Sequence, residues 1–404
     1  MTNLTPASHR RERCQVPVSA LWRGSALAAA LGAAVLVPML APLQGARAED
    51  GATLMVATYG GAYGQSQQIA YFEPFTQATG TKISVELYDG TLGAIKDKIS
   101  ASPAAVDVVD LSAGALASLC GDGLLEPIEV SMLDSGGGSQ SAADDFLAGA
   151  LPSCGVASVA WSTMIAFDRQ ALDKAQPSKI ADLLDTKHFP GKRVLPNGPR
   201  YTLELALLAD GVEPDNVYSE LTTPAGVDRA FKALDKIKAD TLWWDKAQDP
   251  IAWLMEKKAV MAVAYSGRIF RAAVGAPQID LLWDGQIYDL DLWAIPKSAA
   301  NKDAAKQFIA FAMEPAHLAA QAQLIAYGPM RKSAVALVGK HPVINVDMKS
   351  YLPTAPDHLK KALKFDAAWW SEHGEELGNR FQAWREQAST AEGTPQATPP
   401  SQPQ

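Results

Sequence analysis

The sequence predicts an α/β protein of two lobes, each built on a mostly parallel sheet, with a ligand cleft between them. Three observations predict it. Short apolar runs alternate with helical patterns from residue 54 onward, a second alternation starts near residue 191, and two extended apolar segments are long enough to cross between two sheets. The chain has 404 residues, enough for two domains with cores of their own.

The first 48 residues read as an export signal. Arg10, Arg11, Arg13 and Arg23 make a positive region, residues 26–40 are apolar, and Ala46-Arg47-Ala48 offers small residues for cleavage. Pro38 and Pro42 interrupt the apolar run, which falls short of the roughly 20 residues of a membrane span. Cleavage after Ala48 is expected, giving a soluble periplasmic protein that begins at Glu49. No cysteine stands there to carry a lipid.

The whole chain carries 36 basic and 44 acidic residues. Without residues 1–48 these become 31 and 43, a net charge of −12, which argues against nucleic acid as a partner. Cys14 leaves with the signal. Cys120 and Cys154 remain, an even pair that an oxidising compartment would join, stabilising the fold by roughly 3 to 4 kcal/mol in the chain-entropy model.

Residues 54–58 form an apolar run suited to a buried strand, and Gly60, Gly61 and Gly64 allow a turn before a helical pattern. Tyr59 and Tyr63 stand in that turn. A strand end, bare backbone and aromatic faces suit holding an organic solute. Strand, helix, strand and helix follow over 82–88, 92–101, 106–111 and 114–119. Residues 135–145 (SGGGSQSAADD) have no periodicity and read as a flexible surface insertion.

Residues 155–167 form the first long extended segment. Beyond it come a strand at 191–196, a helix at 201–209, and a helix capped by Thr223-Pro224 with Val227, Phe231, Leu234 and Ile237 on one face. Another buried strand covers 259–265, the second long segment covers 287–296, and an amphipathic helix covers 304–313. Leu377, Phe381 and Trp384 mark a C-terminal helix facing a core. His373-Gly374-Glu375-Glu376 falls at an expected helix junction, and residues 391–404 are rich in Pro, Gln and Thr, the composition of a disordered tail.

No P-loop, dinucleotide-binding glycine motif, H-E-x-x-H or G-x-S-x-G occurs in the sequence. The histidines outside the signal stand singly, without metal-site spacing. Neither enzyme chemistry, a metal nor a cofactor is expected. The one enzymatic alternative is a secreted hydrolase using Asp289 and Asp291, which share a face on an extended strand but have no nucleophile or metal motif nearby.

The chain resembles the periplasmic solute-binding proteins of ABC importers, in particular the spermidine/putrescine-binding group. The resemblance covers residues 52–388 and is carried by Phe75-Thr76-Gln77-Ala78-Thr79-Gly80-Thr81-Lys82-Ile83, Asp107-Val108-Val109-Asp110-Leu111-Ser112, Trp161, Tyr265-Ser266-Gly267, Ala294-Ile295-Pro296 and Tyr327-Gly328-Pro329. It implies a periplasmic-binding-protein fold whose lobes close on a solute and present it to a membrane permease, the receptor working as a monomer. Residues 49–157 plus 292–326 would form the first lobe, 158–291 plus 327–388 the second, and 389–404 the tail.

Thr58, Tyr59, Gly61, Tyr63 and Ser112 would supply the first lobe's wall, with Trp161 in the crossing. Arg200, Tyr201, Trp243, Tyr265 and Arg268 would face them, and Tyr288, Asp289 and Asp291 lie on the return crossing. The resemblance implies a small amine, a polyamine such as putrescine or spermidine, as ligand. Where that group carries an acidic pair, however, this chain has Gly198 and Tyr201. Arg200 and Arg268 could clamp a carboxylate instead, so the alternative ligand is a zwitterion such as a γ-amino acid. One of Trp243 and Trp244 is expected at the ligand.

Overall fold

The computed structural model describes residues 53–100, 105–133, 141–172 and 175–391. The expected signal and its cleavage site, and the tail from residue 392 onward, lie outside them.

Ten strands make up a single hydrogen-bonded sheet in the order β2-β1-β3-β8-β4-β7-β5-β6, with two short strands paired at the crossings. They are β1 (Thr53–Thr58), β2 (Lys82–Leu87), β3 (Val108–Ser112), β4 (Val156–Asp168), β5 (Arg193–Pro196), β6 (Thr241–Trp244), β7 (Met261–Tyr265), β8 (Ile279–Ala294), β9 (Gly328–Pro329) and β10 (Leu363–Lys364). On one side β2, β1 and β3 run parallel. On the other side β6, β5 and β7 do the same. The two long strands β4 and β8 lie antiparallel between these halves and pair with each other along most of their length.

That pairing refines the expectation of two separate sheets. The crossing segments do not merely pass between the halves; their ladder joins them into one sheet. β8 is also longer than the sequence suggested, beginning at Ile279 rather than near 287. Its early residues carry only a short apolar run, Leu281-Leu282-Trp283, between Asp280 and Asp284-Gly285, a pattern that reads as loop.

Two hydrophobic clusters flank the crossing. The first gathers Leu54, Val56, Val108, Leu111, Leu292, Trp293 and Phe308. The second gathers Ile165, Leu195, Leu203, Phe231, Val263, Trp370 and Phe381. Strands buried on both faces read as continuous apolar runs, which is why β1, β3 and β7 were legible. Asp107 ties the first half together: its carboxylate accepts from the Met55 and Asn301 backbone N–H groups. Met330 and Ala334 also pack in the first cluster.

Cys120 and Cys154 are joined, with Cα atoms 5.9 Å apart, so the bond fastens the Ala113–Gly121 helix to the approach of β4. Two local expectations fail. Of the stretch 135–145, residues 135–140 lie outside the described residues, and the remainder carries a short helix, Ala142–Asp145, capped by Ser141. Asp145 there is buried and accepts from Arg331 Nε at 2.6 Å, a long-range ion pair that no local pattern reveals. His373-Gly374 marks no junction either: the helix Ala367–Ala391 runs straight through it, and the imidazole stacks on Trp369 with ring centres 4.3 Å apart. The same helix extends past residue 389, where the tail was expected to start.

Among the described residues, no helix is long and apolar enough to cross a membrane, and no group of three or more His, Cys, Asp or Glu side chains is placed to hold a metal ion.

Candidate functional site

The carboxyl end of β1 delivers Thr58 and then Tyr59, and the next helix, Gly61–Gln67, begins at once. The turn restricts side chains at two places, by backbone conformation at one and by close approach at the other. Gly61 has φ +70°, and a Cβ on Gly64 would stand 2.5 Å from the Tyr59 carbonyl oxygen. This geometry folds Tyr63 back beneath Tyr59, their ring centres 5.9 Å apart. Tyr88, just past β2, stacks on Tyr59 at 5.1 Å, and Tyr327 meets Tyr63 at 5.6 Å. Four tyrosines thus form a continuous aromatic row.

Behind the row lies Asp110, fully buried on β3. Tyr63 Oη donates to its Oδ2 at 2.9 Å and Gln67 Nε2 at 2.6 Å, while the Thr58 hydroxyl lies 2.9 Å from the same oxygen. The other oxygen, Oδ1, has no hydrogen-bond partner among the described residues. Tyr88 donates to the Asp110 backbone carbonyl. Burial outweighs these donors and pushes the Asp110 carboxyl up to about 7.

The crossing strands supply two more carboxylates. Asp289 and Asp291 share one face of β8, and Asp291 stands opposite Ser112 of β3 and Val159 of β4. Trp161 Nε1 donates to Asp291 Oδ1 at 3.3 Å. Burial first, then repulsion from Asp110 and Asp289, raises the Asp291 carboxyl well above the usual range. Asp289 is pushed up to about 6, again by burial, with Lys364 opposing weakly. Among the described residues, none of the three carboxylates has a Lys, Arg or His ion pair. The same burial and the same carboxylates raise Tyr59, Tyr63 and Tyr327, so these phenols stay neutral.

Facing them from the other half, Tyr265 ends β7 and meets Trp161 edge-on at 5.5 Å. The helix Ser266–Gly275 starts immediately after it, with Arg268 exposed in its first turn. The Arg268 charge acts on both Tyr265 and Tyr327, which places it at the rim of the aromatic lining. Among the described residues Arg268 has no ion-pair partner. Gly267 leaves room for the Tyr327 ring, which a Cβ would approach to 3.0 Å.

Of the residues singled out from the sequence, Tyr59, Tyr63, Trp161, Tyr265, Arg268, Asp289 and Asp291 come together here. Thr58 stands one layer back, holding Gln67 and Asp110. Ser112 caps the Ala113–Gly121 helix, its Oγ accepting from Ala115 N at 3.4 Å. Gly61 serves the turn. Tyr201 packs its ring on Phe365 at 4.9 Å, and burial, with the Asp289 charge second, raises its phenol well above the usual range.

Three others are placed elsewhere. Tyr288 follows the alternation of β8 onto the opposite face from the aspartates and packs against the first hydrophobic cluster. Trp243 packs edge-on against Phe381 at 5.5 Å and Trp384 at 5.9 Å, inside the second cluster. Its neighbour Trp244 is the one that approaches Tyr265, at 6.0 Å. Arg200 lies 5.8 Å from the Trp370 ring. Residue patterns missed Asp110, Gln67, Tyr88 and Tyr327. A signal existed for Asp110, since an acid inside the apolar run VVDLS is costly unless it serves a purpose.

Residues 70–350 match the model of the bacterial extracellular solute-binding protein. The chain belongs to that family. A γ-aminobutyric acid-binding protein of Pseudomonas aeruginosa is 38% identical over 332 residues, 82% of this chain and 90% of the relative. A spermidine/putrescine-binding periplasmic protein of Escherichia coli is 24% identical over 261 residues, 63% of this chain and 72% of the relative. The solved structure of the Atu4243 GABA receptor superposes with a TM-score of 0.67 at 29% identity, covering 82% of this chain and 97% of that one. The solute-binding protein is thus a substrate-binding component of an ABC transporter, with the α/β architecture of its periplasmic relatives. Members of this family bind small ligands and deliver them to a permease.

Proposed function

We propose that this solute-binding protein is an exported, monomeric receptor for a small ω-amino acid of the γ-aminobutyrate type. Residues 49–157 plus 292–326 and residues 158–291 plus 327–388 would act as the two lobes that close on it before delivery to an inner-membrane permease. One observation carries the reading: among the described residues, three buried carboxylates without a basic partner stand inside an aromatic lining, and an arginine without an ion-pair partner stands at its rim.

An ammonium group supplies the charge that Asp289 and Asp291 lack. The faces of Tyr59, Trp161 and Tyr265 cover a short methylene chain and favour a cation beside them. Arg268 in the first turn of the Ser266–Gly275 helix offers planar donors and a favourable helix end to a carboxylate. The relative at 38% identity, named for γ-aminobutyric acid, supports the zwitterionic ligand. The polyamine reading has support only from relatives near 24% identity, and it leaves Arg268 facing a second ammonium.

Thermal-shift measurements with γ-aminobutyrate, putrescine, spermidine, butyrate and succinate test this. A ligand at 100 times its Kd stabilises by about 2.7 kcal/mol. Unfolding entropies near 2.1 cal/mol/K per residue turn that into a rise of about 3 to 4 °C for a chain of this length. γ-Aminobutyrate should give the largest shift. A shift from putrescine or spermidine alone would establish the polyamine reading instead, and one from butyrate as large as that from γ-aminobutyrate would leave the carboxylates without a role.

A further inference from the structure

We infer that Asp110 and Asp291 together form the seat of the ligand's ammonium group, and that a proton fills this seat until the ammonium displaces it. The inference rests on the amine-ligand reading above and adds to it a residue, Asp110, and a coupling.

The sheet register places the two side by side. β3 and β8 run antiparallel with Asp110 opposite Trp293 and Ser112 opposite Asp291. Asp291 is two residues from Trp293, so it lies diagonal to Asp110 on the same face, where Cβ atoms stand about 7 to 8 Å apart or less. Two carboxylates at that spacing can grip one ammonium between them.

The hydrogen bonding of each is incomplete. Asp110 takes its three side-chain partners, Thr58, Tyr63 and Gln67, on Oδ2 alone, leaving the buried Oδ1 bare. Asp291 has one donor, Trp161 Nε1, at 3.3 Å. A carboxylate serving only the fold would have its second oxygen satisfied, because an orphaned buried acceptor costs about 1 to 3 kcal/mol.

The groups facing the pair leave the carboxylates as the proton's only store. From the first half come Tyr59, Tyr63, Tyr71 and Tyr88, from the segment before β9 comes Tyr327, and from β8 itself comes Asp289. Lys364 acts on Asp289, and Arg268 and Arg271 act on Tyr327. Among the described residues, no Lys, Arg or His bonds to either Asp110 or Asp291. Two like charges buried together without a counter-charge retain a proton between them. Binding then exchanges one cation for another: the alkylammonium enters intact, the shared carboxyl proton leaves to solvent, and net charge in the seat is unchanged.

Isothermal titration of the purified protein with γ-aminobutyrate, in phosphate and in imidazole, two buffers that span the pH range of the experiment and differ in ionisation enthalpy, counts the protons released. The ligand's own amine stays charged throughout this range. The expected result is close to one proton per ligand at pH 6, falling toward zero at pH 8, with Kd tightening by about tenfold per proton per pH unit where release is complete. Asp110→Asn should bind more weakly, with its release reduced and its pH dependence flattened. Binding with equal Kd at pH 6 and 8 and no buffer-dependent heat would overturn the proton seat while leaving the amine receptor standing. Absence of any binding by γ-aminobutyrate or putrescine would instead bring down the amine reading and the seat with it. Should Asp110→Asn fail to fold, the wild-type titration decides alone.

Discussion

Replacing Asp289 by Asn should make the empty protein more stable and the loaded protein harder to form. The folded carboxyl titrates at about 6 against 3.8 when unfolded, chiefly because it is buried. Between those values the folded state keeps a proton that the unfolded state has released. Stability therefore falls as pH rises through this window and stays lower above it. At about 1.36 kcal/mol per unit, the carboxylate lowers stability by about 3 kcal/mol at pH 8. The amide carries no charge, and its oxygen can keep the bond from Leu290 N that Asp289 accepts at 2.8 Å. An unfolding entropy near 2.1 cal/mol/K per residue converts the gain into a rise in Tm of about 4 °C. Differential scanning calorimetry of the ligand-free variant at pH 8 and pH 3.5 measures it. The gain should be present at the first pH and absent at the second. In parallel, γ-aminobutyrate affinity should fall at least tenfold, as expected when one partner of a desolvated charge pair is lost. A ligand-free variant less stable than wild type at pH 8 would refute the reasoning, because Asp289 would then be an anchor of β8 rather than a charge held ready for a cation.

Other substitutions separate binding from packing. Arg268→Gln, at an exposed position, should leave Tm unchanged, weaken γ-aminobutyrate by about tenfold to a hundredfold, and leave putrescine binding as tight or tighter, because the charge facing its second ammonium is gone, all readable by titration calorimetry. Trp243→Ala should do the reverse, destabilising by about 3 to 5 kcal/mol through the cavity left beside Phe381 and Trp384, with unchanged affinity in the fraction that remains folded. Opening the Cys120–Cys154 bond through Cys120→Ser and Cys154→Ser should lower stability by about 3 to 4 kcal/mol in urea unfolding, since the bond closes a 34-residue separation.

Much of the architecture was legible because its signals are local. Buried parallel strands read as apolar runs, and Thr223 announces its helix by capping Gly226 N at 3.0 Å. The aromatic turn after β1 was legible for the same reason, its glycines and tyrosines lying within six residues of the strand end. Tyr288 and Trp243 were harder. Which face of a strand meets the ligand depends on the sheet's neighbours, and the sequence shows only that residues alternate. The buried pair of Asp145 and Arg331 spans 186 positions, beyond any local pattern.

The sequence by itself determined the α/β alternation, the two long crossings, the resemblance to solute-binding proteins, and a set of aromatic and charged residues suited to a small amine or amino acid. Only the tertiary structure decided how those residues meet. It joined the crossings into one ladder, turned Asp289 and Asp291 toward the tyrosines and Tyr288 away, and brought Asp110 beside Asp291 from a strand 181 positions earlier. The physical reason lies in what each quantity depends on. Strand and helix patterns follow from neighbours along the chain, whereas the burial and mutual repulsion that ready a carboxylate for a cation depend on neighbours in space.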